Sequence, residues 1–77
     1  MSGPPIHEDT MVTVHLEGRG CRLARGSTLA DLLRLLGHTP EAITTALNGE
    51  FVARALRADH VLQDGDQILL FQPIVGG

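Results

Sequence analysis

The sequence predicts a short helix near the middle of the chain, with a start signal and a stop signal at its two ends. This helix limits the folds that are available to the chain. Thr28 and Asp31 have the spacing of a capping box, in which each side chain satisfies a free backbone amide of the first helical turn. Gly37 stands where a helix often ends in a left-handed residue. Four leucines occupy positions i, i+3, i+4 and i+7 between these signals: Leu29, Leu32, Leu33 and Leu36. The pattern predicts one apolar stripe buried in a core, because the helix is too short for a zipper.

The sequence before this helix predicts a β-hairpin. Residues 11–16, MVTVHL, alternate so that Val12, Val14 and Leu16 face one way, as in a half-buried strand. EGRG then supplies a turn, and CRLA reads as a returning strand with Cys21 and Leu23 on its inner face.

A second hairpin is predicted after the helix. The pair Asn48-Gly49 is a strong two-residue turn signal and joins residues 43–47 to Phe51 and Val52. Residues 53–63 read as an irregular or single-turn connection. A DGD turn then leads into the apolar run from Ile68 to Phe71, which is typical of a strand covered on both faces.

These elements predict an α+β fold. Four to five strands form a mixed sheet in which the last strand returns beside the first, and the one main helix packs on one face. Residues 1–10 read as a disordered leader. Residues 11–75 form the domain, and residues 76–77 form a flexible tail.

Composition excludes several classes of function. The chain has 77 residues, a net charge of −3 and two aromatic residues, so a nucleic-acid surface is not expected, and neither is a membrane span. All six basic residues are arginines, which excludes a lysine nucleophile or a lysine acceptor for conjugation. One cysteine and no secretory signal make the cytoplasm the expected compartment.

Other chemistry-bearing residues have ordinary explanations. The four histidines (His7, His15, His38 and His60) lack metal-ligand spacing with one another or with Cys21, so no metal site is predicted. Cys21 is expected to be a small core residue rather than a nucleophile. Asp64 and Asp66 suit a tight turn. Arg54 and Arg57 are expected to be solvent-exposed side chains of a loop, although they could contact acidic groups of a partner.

The sequence ends FQPIVGG, and a diglycine end adds little to a core because glycine loses the most conformational freedom on ordering. Two glycines alone can arise by chance. In context, GSTLADLL at the helix, ALNGEFVAR at the second hairpin and LQDGDQILLFQPIVGG at the end together resemble the ubiquitin-like β-grasp sulfur carriers of the ThiS family. The resemblance covers about residues 11–77. The position of Pro73 shortly before the diglycine also resembles the tail of the related MoaD family.

The resemblance implies a protein co-substrate rather than an enzyme. A ThiF-like adenylyltransferase would use ATP and Mg²⁺ to activate the Gly77 carboxylate, and sulfur from a donor such as a cysteine desulfurase would convert it to a thiocarboxylate. A ThiG-like thiazole synthase would then receive the sulfur for thiamine. The carrier itself is expected to bind no cofactor and no metal.

Each part of the tail then has an expected role. Gly76 lacks a Cβ that would obstruct a narrow channel, and Pro73 is expected to end sheet pairing. In the last strand Ile68 and Leu70 would face the helix, which leaves Leu69 and Phe71 on the other face as a docking surface or under a loop. Three alternatives stay open: sulfur transfer to molybdopterin or another metabolite, a modifier joined through Gly77 to lysines of targets, or a plain binding module.

Overall fold

The computed structural model of the protein describes residues 10–72. Its strands are β1 (Met11–Leu16), β2 (Arg19–Ala24), β3 (Thr44–Leu47), β4 (Glu50–Val52) and β5 (Gln67–Phe71), and its α-helix is α1 (Leu29–Leu36). Two 3₁₀ segments, Pro40–Ala42 and Arg54–Asp59, lie on either side of the second hairpin. The predicted α+β class is confirmed. The expected leader is outside the described residues apart from Thr10, whose carbonyl accepts a hydrogen bond of 2.7 Å from the Arg25 backbone amide.

The five strands form one mixed sheet in the order β2-β1-β5-β3-β4. β5 runs parallel to β1 and antiparallel to β3, while the two hairpin pairs are antiparallel. The predicted return of the last strand beside the first is therefore confirmed. This return makes β5 a central strand with hydrogen-bonded neighbours on both sides.

Both hairpins turn on residues with positive φ. Asn48 and Gly49 have φ of 53° and 86°, the conformation that a two-residue hairpin loop of this sequence favours. The first hairpin is tighter than predicted, because Glu17 and Gly18 alone make the turn with φ of 51° and 86°. The strand β2 consequently begins at Arg19 rather than at Cys21.

The helix α1 has the predicted caps. The Oγ1 of Thr28 accepts a hydrogen bond of 3.1 Å from the Asp31 amide, and Asp31 Oδ2 accepts one of 3.0 Å from the Thr28 amide. Gly37 is left-handed with φ of 81°, and its amide donates to the carbonyl of Arg34. These bonds satisfy backbone groups that a helix of eight residues would otherwise leave free at its ends.

The core lies between α1 and one face of the sheet. Its buried side chains are Val12, Val14, Leu23, Leu29, Leu32, Val52, Leu62 and Ile68. The predicted leucine stripe is wrong at one position, because Leu36 is 41% exposed while Leu32 is 1% exposed. Leu36 is the last residue of α1, so no further helical turn covers it.

The prediction that β5 is covered on both faces is also wrong. Ile68 is fully buried, whereas Leu69 and Phe71 remain 44% and 51% exposed. Alternate residues of a strand point to opposite faces, and α1 packs only against the face that carries Ile68. In residues 10–72 no helix combines the length and the apolar composition that a membrane span requires.

Candidate functional site

The strand β5 brings the predicted docking residues to the sheet face opposite α1, which is called the open face below. Leu69 and Phe71 both lie there and are exposed, which favours the open sheet face over the alternative in which a loop covers them. The other predicted site residues, Pro73, Gly76 and Gly77, lie outside the described residues. β5 itself ends at Phe71, so the predicted docking residues directly precede the chain segment that leads to Gly77.

Strand register extends this exposed region across three strands. Leu69 lies opposite Ala46 of β3, and Ala46 in turn lies opposite Phe51 of β4. Phe71 lies opposite Thr44 in the next row of the same face. Ala46, Phe51, Leu69 and Phe71 therefore form one surface, the apolar patch, at the end of the sheet from which the chain continues toward residue 73.

Phe51 is the aromatic residue of this patch that the sequence interpretation did not assign to the docking surface. Its side chain is 70% exposed, while its neighbour Val52 is 3% exposed. The signal was present in the Asn48-Gly49 hairpin, because two adjacent strand residues must face opposite sides and Val52 is the better core residue. The two aromatic side chains of the chain, Phe51 and Phe71, thus both project from the open face. Exposed aromatic side chains are typical of protein-binding surfaces.

Backbone pairing fixes the position of β5 under this patch. Its pairing with β3 continues to Phe71, whereas its pairing with β1 ends where Leu16 meets Ile68. Beyond that point the Glu17 carboxylate accepts a hydrogen bond of 3.4 Å from the Leu70 amide. Leu70 is therefore bonded on the side that faces β1 even though that strand has ended.

The turn before β5 is held by its own carboxylates. Asp64 Oδ1 accepts a hydrogen bond of 2.7 Å from the Thr13 amide, and Asp66 Oδ2 accepts one of 2.8 Å from the Gln63 amide. Gly65 between them has φ of 86°. The predicted tight turn is confirmed, and both carboxylates have structural partners.

The two arginines predicted to be exposed on a loop differ in their burial. Arg54 is exposed and lies 3.8 Å from the Glu41 carboxylate. The prediction for Arg57 is wrong, because its side chain is buried and residue 57 is only 3% exposed. Its guanidinium donates to Thr45 Oγ1 and to the carbonyls of Pro40 and Ile43. These acceptors come from the segment before β3 and from β3 itself, so local sequence gave no sign of them.

The other side chains that could bind a metal or act as nucleophiles form no such site within residues 10–72. No cluster of three or more histidine, cysteine, aspartate or glutamate side chains there could hold a metal ion. Cys21 is a free thiol, half-buried, and packs against the core. The open face is thus the part of the described chain that combines exposed apolar groups with proximity to the terminal segment.

Comparison of the sequence with protein-family models gives a match to the ThiS family over residues 14–77. The sulfur carrier protein ThiS of Escherichia coli K12 is 46% identical over 54 residues, which cover 70% of this chain and 82% of that protein. A thiazole synthase of Magnetococcus marinus is 38% identical over 64 residues. That alignment covers 83% of this chain and 20% of the synthase, so the chain spans one fifth of its length.

Solved structures agree with the sequence comparisons. The crystal structure of the thiamine biosynthesis protein ThiS from Geobacter metallireducens superposes with a TM-score of 0.74 at 25% identity. The superposition covers 86% of this chain and all of the other. The predicted β-grasp architecture is confirmed by this likeness and by the five-stranded sheet with its single α-helix.

Proposed function

Because this chain belongs to the ThiS family, we propose that it is a sulfur carrier whose Gly77 carboxylate becomes a thiocarboxylate and supplies sulfur for the thiazole of thiamine. The resemblance drawn from the sequence motifs is confirmed by the family match. The observation that carries the proposal is the extent of this match, which continues from residue 14 through Gly77. The matched segment therefore includes Gly76 and Gly77.

The proposed chemistry needs a carboxylate and little else from the carrier. An α-carboxyl group ordinarily has a pKa of about 3.3 to 3.7, so at neutral pH its oxygen is an anionic nucleophile. In a partner adenylyltransferase this oxygen attacks the α-phosphorus of ATP and pyrophosphate leaves, with Mg²⁺ neutralising the phosphate charge. Hydrosulfide then attacks the carbonyl carbon of the acyl adenylate, AMP leaves, and loss of the S–H proton gives the thiocarboxylate.

The folded body would act as a handle for this reagent. Its last described strand is a central one, and five residues separate Gln72 from the end of the sequence at Gly77. Five extended residues span at most about 18 Å, enough to reach into a recessed site while the body stays outside. The end of β5 at Phe71 supports the proposed role of Pro73, which has no N–H for a further ladder bond.

We assign partner recognition to the apolar patch and to Pro73. The similarity to part of a thiazole synthase supports an enzyme of that class, ThiG-like, as the acceptor. A ThiF-like adenylyltransferase and a sulfur donor such as a cysteine desulfurase complete the proposed set of partners. All of these steps would take place in the cytoplasm.

Reconstitution tests the proposal. The purified chain is incubated with a ThiF-like adenylyltransferase, ATP, Mg²⁺ and sulfide, and its intact mass is measured. We expect a product in which one oxygen has been replaced by sulfur, and tandem mass spectrometry should place the change at Gly77. A variant lacking Gly77 is the control and should stay unmodified. Sulfur found at Cys21 instead would contradict the proposal.

Growth tests distinguish the thiazole pathway from molybdopterin. A strain without this protein should recover when the thiazole precursor of thiamine is supplied, because that precursor bypasses the sulfur transfer. Loss of molybdopterin-dependent activity, with no requirement for thiazole, would instead identify a MoaD-like role.

A further inference from the structure

A cavity of about 200 Å³ lies beside α1, and its lining includes none of the four residues of the apolar patch. α1 and the 3₁₀ helix Arg54–Asp59 form its walls, and Leu33 contributes to its apolar lining. Three of the six arginines of the chain line this one cavity: Arg34, Arg54 and Arg57. The sulfur-transfer proposal assigns no role to any of them.

Arg57 is the unusual member of this group. Its guanidinium is buried, and three of its five N–H groups donate to the neutral oxygens of Thr45, Pro40 and Ile43. Its other two N–H groups find no acceptor between residues 10 and 72. Over the same range, no carboxylate oxygen lies within 4.0 Å of this guanidinium. The hydrogen bonds explain how the side chain ties three segments together, but they supply no negative charge to balance it.

The neighbouring carboxylates are already engaged elsewhere. Asp31 lies 3.3 Å from Arg34, and Glu41 lies 3.8 Å from Arg54, in exposed ion pairs. Burial and then the positive charge of Arg54 both lower the pKa of Arg57. Of the three arginines that line the cavity, Arg57 is therefore the one without a carboxylate partner among residues 10–72. Buried charges in proteins are normally paired with an opposite charge.

We propose that this cavity binds a compact oxyanion, either a carboxylate or a phosphate group, that balances the charge of Arg57. Guanidinium groups bind both anions well, because their planar N–H groups match the spacing of two oxygens. Ligand pockets for whole drug-sized molecules occupy about 300–1,000 Å³, so this smaller cavity suits a single anionic group. The group comes from a free small anion or from an acidic side chain of another protein.

Nuclear magnetic resonance of the full-length ¹⁵N-labelled chain tests this site. Inorganic phosphate, acetate and N-acetyl-glutamate amide are titrated separately, with sodium chloride holding the ionic strength constant. The Arg57 Nε–H resonance should shift and saturate, with a dissociation constant of about 1 mM or below for at least one probe. Tighter binding of phosphate or acetate would identify a free anion, and tighter binding of the glutamate derivative would identify a protein side chain.

Rim variants test whether the site is specific without removing the buried guanidinium. Arg54→Gln and Arg34→Gln should each weaken binding about threefold or more, since each removes one positive charge from the cavity. Arg22→Gln is the matched control, because Arg22 is an exposed arginine on the open face opposite Thr13. The proposal is overturned if no probe gives a saturable shift, or if Arg22→Gln weakens binding as much as the rim variants.

Discussion

Asn48 and Asp66 join the second hairpin to the start of β5, with Asn48 Nδ2 donating a hydrogen bond of 3.0 Å to Asp66 Oδ1. The same Asn48 side chain accepts a hydrogen bond of 2.9 Å from the Gln67 amide. Its backbone amide donates to the Gln67 carbonyl at 2.7 Å. One turn residue therefore fixes where the last strand begins relative to its neighbour β3.

Two substitutions of Asn48 should separate the stability that its side-chain hydrogen bonds contribute from the stability that its backbone conformation contributes. Asn48→Gly keeps the positive φ at little cost but loses the side-chain bonds, so we expect a loss of about 1 kcal/mol in the free energy of unfolding. Asn48→Ala should lose about 1 kcal/mol more, because alanine is strained at a φ of 53°. Urea denaturation measures both values. Equal stability of the two variants would show that the backbone conformation contributes nothing.

An alanine added after Gly77 should prevent sulfur loading, because the reactive carboxyl would then belong to a bulkier residue one position farther along. The core side chains lie between Val12 and Ile68, so the melting temperature should change by no more than about 3 °C. Intact-mass analysis after reconstitution and thermal unfolding by circular dichroism measure the two effects. Normal sulfur loading of the extended chain would refute the role given to the Gly77 carboxylate.

Phe51→Ser should weaken binding to the adenylyltransferase about tenfold or more, because aromatic side chains at the centre of an interface often carry much of its energy. Leu35→Ser is a matched control, since Leu35 is 72% exposed and belongs to α1 rather than to the open face. Titration calorimetry gives the affinity of each variant. If Leu35→Ser weakens binding as strongly as Phe51→Ser, the apolar patch is not the docking surface.

Asp31 should make stability depend on pH. The pKa of this carboxyl is lowered from its ordinary value near 3.8, first by the hydrogen bond from the Thr28 backbone amide and also by the Thr28 side chain and the charge of Arg34. A lowered pKa in the folded state stabilises the fold fully above the ordinary value, and the effect is lost as pH falls through the folded value.

Asp31→Asn should therefore be less stable than the native chain at pH 7. The difference should shrink as the pH falls below the ordinary range of aspartate. Denaturation curves of both proteins between neutral and acidic pH measure it. A difference that does not change with pH would show that the charge of Asp31 contributes nothing.

Leu32→Ala and Leu36→Ala make the same chemical change on the same helix with different expected costs. Leu32 is buried in the core, so its truncation should cost about 2–5 kcal/mol in the free energy of unfolding. Leu36 is 41% exposed, and its truncation should cost about 1 kcal/mol or less. Chemical denaturation compares the two. Similar costs would mean that the end of α1 is more tightly packed than its exposure indicates.

Features set by neighbouring residues were predictable from the sequence. The caps of α1 depend on Thr28, Asp31 and Gly37, which lie within or next to the helix they close. The turn at Asn48-Gly49 follows from the conformational preferences of those two residues. The family resemblance of the terminal motif added the expected chemistry.

Features set by distant contacts were not predictable in this way. The acceptors of the Arg57 guanidinium include the Ile43 carbonyl, 14 residues earlier in the chain, and nothing near Arg57 signals burial. The exposure of Leu69 depends on which sheet face the single helix covers, whereas an apolar run alone fits a strand covered on both faces. Phe51 joins Leu69 only because both lie beside Ala46 in the folded sheet.

The central position of β5 has a mechanical consequence. Tension applied at the carboxyl end of the chain runs along this strand, which is flanked by β1 on one side and β3 on the other. Such a pull loads the flanking ladder bonds in shear, so they resist together instead of opening one after another. If a partner enzyme draws the terminus into a channel, as proposed, the last strand should therefore stay paired within the domain.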